Sequence, residues 1–317
     1  MLKIYLDVEH ETADFLSVLA DEKGTPLEKL SPKDARTVLV NAQSGVNLPP
    51  ADVSEKLILI QGKKIRLVIV KPKNSDKELP AFMFFHGGGW VLGDFGTHER
   101  LIRDLVIRSG AAAIYVDYSP SPEAHYPVAI NQAYAATNWV AENGSQIGVN
   151  GKSLAVAGNS VGGNMAAVVA LKAKVEGKPK IKFQLLMWPV TNANLENRSY
   201  NEFSDGYFLT KNMMQWFWDS YTLDKKARNE IYASPLLATE KQLEGLPPTL
   251  IQTAEFDVLR DEGEAYADKL NAANVPVIST RYRGMIHDFG LLNVLSDVPT
   301  TQAALDQAGS ELKKYLN

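Results

Sequence analysis

The chain has 317 residues, no cysteine, 45% hydrophobic residues and a formal net charge of −4 at pH 7. That length and apolar content can bury a large core as one domain with an excursion. The mild acidity gives no reason to expect nucleic acid or a membrane surface as a partner, and the absence of cysteine excludes disulfides, thiolate catalysis and cysteine-ligated metal.

From the N-terminus, Met1-Leu2-Lys3-Ile4-Tyr5-Leu6-Asp7 lacks the apolar stretch and cleavage site of a secretory leader. No apolar run approaches the length of a membrane-crossing helix, so a cytoplasmic location is the expectation. Residues 1–50 read as amphipathic helices, with Phe15, Leu16, Val18 and Leu19 in one and Ala35, Val38, Leu39 and Val40 in the next. Apolar runs at 57–60 and 65–70 flank Gly62-Lys63-Lys64 and predict an antiparallel hairpin. Residues 81–85 are a buried-strand signal, and residues 101–106, 112–116, 127–141, 154–157 and 183–187 continue an alternation of strands and helices. That rhythm argues for an α/β fold with a mostly parallel sheet covered on both faces. It breaks between residues 189 and 234, in a stretch rich in aromatics that includes Tyr200, Phe203, Tyr207, Phe208 and Trp216. The expected division is a helical cap segment at 1–50, a core at 51–190, a cap insertion at 191–233 and the rest of the core at 234–317.

Gly158-Asn159-Ser160-Val161-Gly162-Gly163 fits G-x-S-x-G between a short apolar strand and an Ala/Val-rich helix expected from residue 164 to residue 176. In that context the motif is a strained turn that lifts a serine hydroxyl above a sheet edge. By chance alone it arises about one time in ten in a chain of this length, so the other parts of the machinery decide. A serine needs a base to take its proton, and the base needs a carboxylate to fix its tautomer. His287 is the one histidine after Ser160, in a loop past an apolar run; His10, His86, His98 and His125 all precede the serine. The acid is read at Asp257, after the strand-like residues 249–253. Glu255, Asp261 and Glu262 are competitors, and Asp261 or Glu262 is expected to cap the helix running through Leu270. His86-Gly87-Gly88-Gly89-Trp90 follows the strand at 81–85 and supplies unobstructed backbone N–H groups for an oxyanion. Gly88, Gly89 and Val161 are the expected donors, with Gly87 as a substitute, and His86 is expected to brace the loop. The histidines are too scattered for a metal site, and no cofactor is implied.

With these residues in view, the chain resembles the hormone-sensitive-lipase-like group of α/β-hydrolases, the bacterial family IV carboxylesterases. HGGGW at 86–90, the block from Asp117 to Pro127, GNSVGGN at 158–164, and Asp257 with GMIHDF at 284–289 carry the resemblance in order along the chain. It implies Ser160, Asp257 and His287 as the triad, short-chain acyl esters as substrates, and a composite cap roofing the pocket. A homodimer formed through a sheet edge is an expectation from the resemblance alone. Within the cap, Tyr207 and Phe208, together with Trp90, are the expected substrate contacts. The sequence departs from the family pattern at Asn159, where an aspartate is usual, at Val161, where the branched side chain is expected to narrow the acyl pocket, and at Asp288, whose carboxylate favours an imidazolium if it faces His287. An amidase or lactonase on the same triad, and a small-ligand receptor that has lost turnover, are the alternatives.

Overall fold

The computed structural model describes residues 7–317 apart from residues 23, 61 and 76, so the leader reading of the first six residues lies outside the described part. Eight strands make one sheet: β1 (Ala51–Ile60), β2 (Lys63–Pro72), β3 (Leu79–Phe85), β4 (Ala112–Asp117), β5 (Val149–Asn159), β6 (Gln184–Met187), β7 (Thr249–Phe256) and β8 (Val277–Ile286). Their order is β1-β2-β4-β3-β5-β6-β7-β8. β2 runs antiparallel to β1 and β4, and every other pairing is parallel. The hairpin expected around residues 62–64 is the β1–β2 pair.

The helices before β6 are α1 (His10–Asp21), α2 (Pro32–Ala42), α3 (Phe95–Ser109), α4 (Val128–Asn143) and α5 (Val161–Glu176). After it come α6 (Arg198–Glu202), α7 (Lys211–Tyr221), α8 (Lys225–Arg228), α9 (Glu240–Leu243), α10 (Arg260–Ala272) and α11 (Pro299–Leu316). Side chains alternate across the pleat, and β3 divides accordingly. Ala81, Met83 and Phe85 join a core with residues of α4, α5 and α10, whereas Phe82 and Phe84 join one with residues of α3 and α11. Both faces are covered, which is why the central strands read as continuous apolar runs rather than as alternation. Among the described residues no helix is long and apolar enough to cross a membrane.

Helix α5 starts at Val161, three residues before the expected start, and β5 extends to Asn159, so Ser160 alone makes the turn. The glycines on either side of it serve close approach rather than the turn. A Cβ on Gly162 would lie 1.9 Å from the Phe85 carbonyl oxygen, and one on Gly158 would lie 2.3 Å from the Gly162 backbone. The first turn of α5 is thereby pressed against the carboxyl ends of β3 and β5. In the N-terminal helices, Leu16 is buried, but Val18 and Val38 are 62% and 47% exposed. Phe15, Leu19, Val38 and Leu39 of these helices line a cavity.

Because neither backbone at the Phe85–Gly162 contact can move without shifting the sheet, Gly162→Ala is expected to destabilise the fold by about 2–4 kcal/mol. Chemical denaturation monitored by far-UV circular dichroism reads this directly. The same substitution at Gly177, which has nothing within 4 Å of its Cβ position but φ +72°, is expected to cost about 1 kcal/mol through backbone strain alone.

Candidate active site

Parallel strands deliver their carboxyl ends to one edge of a sheet, where α/β folds gather their ligands. Here β3 delivers the loop from His86 to Trp90, β5 delivers Ser160, β7 delivers Asp257 and β8 delivers His287. Ser160 has φ 55° and ψ −123°, a strained conformation for a residue with a Cβ. Its N–H donates to the Met187 carbonyl at 2.9 Å, and its carbonyl accepts from Val190 N–H at 3.1 Å. Both bonds tie the turn to the end of β6.

The three residues separated by about 130 positions in the chain meet within hydrogen-bond distance. His287 Nε2 lies 3.0 Å from Ser160 Oγ, and His287 Nδ1 lies 2.7 Å from Asp257 Oδ2. A carboxylate can only accept, so Nδ1 carries the proton and Nε2 is left to accept from the serine. Asp257 Oδ1 accepts from the Leu259 N–H at 2.9 Å, which fixes the carboxylate's orientation. All three side chains are buried, at 4% exposure or less.

The rival carboxylates have other partners. Glu255 accepts from Gly284 N–H at 2.8 Å, and Asp261 accepts from Ser199 N–H at 2.9 Å. Glu262 Oε1 accepts from the N–H groups of Thr191 and Asn192, at 2.6 and 3.1 Å. The helix-cap expectation for Asp261 and Glu262 is therefore corrected. Leu259 occupies the cap position of α10 without a side-chain bond, and both acids lie inside the first turn, Asp261 reaching the first turn of α6 and Glu262 the loop after β6. Burial holds Glu262 well above the usual carboxylate range despite its two backbone donors.

The glycine loop has its own support. Gly87 N–H donates to Asn159 Oδ1 at 3.0 Å and faces His98 Nε2 at 3.2 Å, so it is spent and Gly87 is no substitute oxyanion donor. Among the described residues the N–H groups of Gly88 and Gly89 have no protein acceptor. Val161 opens α5, where an N–H has no intrahelical acceptor. Gly88 and Gly89 sit at φ 99° and 64°, and a Cβ on Gly89 would overlap the Phe217 ring at 2.0 Å. His86 stacks on Tyr118 at 4.2 Å, and its Nδ1 lies 2.8 Å from the Gly87 carbonyl. Burial pulls its pKa down to about 4, so at neutral pH it is an uncharged brace.

The cavity at the serine has a volume of about 140 Å³. Gly88, Gly89, Ser160, His287 and Asp288 form its reactive end, and α1, α2 and α7 contribute apolar walls such as Phe15, Val38, Leu39 and Phe217. Phe208 is on the wall as expected. Two other expected substrate contacts are not. Trp90 is fully buried and stacks on Tyr221 at 3.9 Å, and Tyr207 turns onto Phe256 at 5.4 Å. Neither lines the cavity. The branched side chain of Val161 is likewise sunk in the core and does not narrow the pocket.

The departures at Asn159 and Asp288 belong to one network. Asn159 Nδ2 donates to Asp288 Oδ1 at 2.8 Å, and Trp188 Nε1 donates to the same oxygen at 2.6 Å. The other oxygen, Oδ2, lies 3.7 Å from His287 Nε2. The negative charge absent from position 159 is therefore present across the turn, facing the base. Burial alone would lower the His287 pKa, but the charges of Asp257 and Asp288 outweigh it and raise the imidazole above its ordinary value of 6.5. Sequence reasoning missed Trp188, whose position directly after β6 was the available signal; it placed the N-terminal helices in the cap over the pocket but named none of the wall residues that α1 and α2 supply.

Two predictions follow from this geometry. A base must be neutral to accept the serine proton, so kcat/KM falls as pH drops through the raised His287 pKa; Asp288→Asn removes one of the charges raising it and moves that acid limb to lower pH in a pH–rate profile. Asn159→Asp would set two carboxylates at the 2.8 Å separation now bridged by an amide and is expected to cost about 1–3 kcal/mol of stability. Adding Asp288→Asn to it restores a donor–acceptor pair, and a double-mutant cycle in urea reads the recovery.

A family model described as alpha/beta hydrolase fold matches residues 82–291. Carboxylesterase NlhH of Mycobacterium tuberculosis is 35% identical over 272 residues, covering 85% of each chain. The crystal structure of a thermostable esterase from Pseudomonas putida superposes with a TM-score of 0.97 at 66% identity, covering 98% of each chain. A fungal esterase from Rhizomucor miehei superposes at 0.91 with 40% identity, covering 98% of this chain and 97% of its own. The chain belongs to the hormone-sensitive-lipase-like branch of the α/β-hydrolase fold family and is a carboxylic ester hydrolase.

Proposed function

We propose that the chain hydrolyses short-chain acyl esters by two-step acyl transfer on Ser160. Ser160 Oγ attacks the ester carbonyl carbon while His287 Nε2 accepts its proton, and Asp257 stabilises the imidazolium that forms. The carbonyl oxygen becomes an oxyanion held by the N–H groups of Gly88, Gly89 and Val161. Donors aimed in advance need no reorganisation, and one of them is typically worth about 3–4 kcal/mol of barrier. As the tetrahedral intermediate collapses, His287 returns the proton to the departing alcohol. Water then adds to the acyl-enzyme with His287 again as base, releasing the acid and restoring Ser160.

The observation that carries this reading is the continuous chain Ser160–His287–Asp257, with its 3.0 and 2.7 Å links, at the end of an apolar pocket. The short-chain preference rests on the volume. A cavity of about 140 Å³ matches the roughly 150 Å³ that hold a benzene-sized molecule of about six heavy atoms. Apolar walls around a few polar groups suit a small ester rather than a charged substrate.

The test is hydrolysis of p-nitrophenyl esters from acetate to palmitate by wild type and Ser160→Ala, with a matched p-nitroanilide in parallel. The expected result is activity concentrated on acyl chains of up to about six carbons and a loss of at least about 1,000-fold in the variant. Undiminished turnover in Ser160→Ala would remove the serine from the mechanism. Equal rates on the ester and the anilide would favour an amidase.

A further inference from the structure

Phe208 lies in the segment ahead of α7 with φ 72°, an outlier for a bulky side chain that must be held by its surroundings. On one side of it, Tyr207 stacks on Phe256 with the rings 8° from parallel and meets Phe203 edge-on at 5.3 Å. On the other, Leu209 is buried, and its N–H donates to the Tyr207 carbonyl at 3.0 Å. With both neighbours anchored, the Phe208 ring lies against Phe15 of α1, 5.9 Å between centroids. Two separate chain segments, one from each half of the cap, thus close on each other at this ring.

Two cavities meet there. The catalytic pocket is about 140 Å³. Beyond the ring lies a larger, more open cavity of about 360 Å³, lined by Leu16, Ala20, Asp205, Gly206 and Thr210 in addition to the residues it shares with the pocket. The shared residues are Leu19 and Phe208. The residues common to both cavities are one ring and one aliphatic side chain, so a single substitution can thin what separates them.

Building on the ester-hydrolase reading, we propose that Phe208, backed by Leu19, is the partition that sets the acyl-chain length this enzyme accepts, and that the cavity beyond it is an extension of the acyl site, separated by the ring from the serine, with room for medium-length chains. A butanoyl chain ends on the reactive side of the partition. An octanoyl chain needs the space behind it, and each further methylene that finds apolar cover is worth about fourfold. The inverted backbone at Phe208 sets the direction of its Cα–Cβ bond, and the contact with Phe15 holds the ring where the two cavities meet.

The experiment compares the octanoate-to-butyrate ratio of kcat/KM, on p-nitrophenyl esters, in wild type, Phe208→Gly and Leu19→Ala. Glycine adopts positive φ without strain, so the first variant removes the ring without a backbone cost. The second attacks the partition from a different element and stands in if the first does not fold. The ratio is expected to rise by at least about tenfold in either variant. An unchanged or lower ratio in the folded variants overturns the proposal. The wild-type chain-length profile judges the short-chain reading separately, because the partition is judged on the change between variant and wild type.

Discussion

The site depends on the contact between the first turn of α5 and the end of β3. Only an unsubstituted Cα at Gly162 lets the helix come within reach of the Phe85 carbonyl. That contact fixes where α5 begins, and the start of α5 fixes Ser160 in its strained turn. The N–H groups of Gly88 and Gly89, without a protein acceptor among the described residues, then lie at the same small cavity as Ser160, because the loop after β3 and the helix after β5 leave the sheet side by side. A strained residue at a site persists only where the surroundings over-determine it, and here three neighbouring strands do so.

Charge placement is the second constraint. A buried base between carboxylates is costly unless each carboxylate has its own donors. Asp257 takes the Leu259 N–H, and Asp288 takes the Asn159 amide and the Trp188 indole. Asn159 is bifunctional: its oxygen holds the Gly87 N–H and its nitrogen holds Asp288. A carboxylate in its place could do the first and not the second. Asn159 and Asp288 are therefore one electrostatic unit, joining the glycine loop to the loop of His287 across the turn at Ser160.

The fold was largely legible because periodicity and punctuation are local properties: the apolar runs became strands, and G-x-S-x-G became the turn. The meeting of Ser160, His287 and Asp257 was legible because such residue types occur in a fixed chain order, and one histidine remained after the serine. What stayed hidden was orientation. Trp90 and Tyr207 were expected at the substrate because of their sequence neighbours, but rings adjacent in sequence diverge when the backbone inverts, as it does at Trp90 and Phe208. Likewise the pairing of Asn159 with Asp288 spans 129 positions, and no spacing rule connects them. The acids of α10 looked like caps because a cap and a brace share composition; only the segments they reach tell them apart.

The central claim is that Ser160 becomes covalently acylated, and the most direct measurement is peptide mass spectrometry after reaction with one equivalent of a p-nitrophenyl alkylphosphonate. The account predicts a single modification on the peptide containing Ser160, with activity lost in proportion to labelling. Loss of activity with Ser160 unmodified, or full labelling of Ser160 with activity retained, would contradict it.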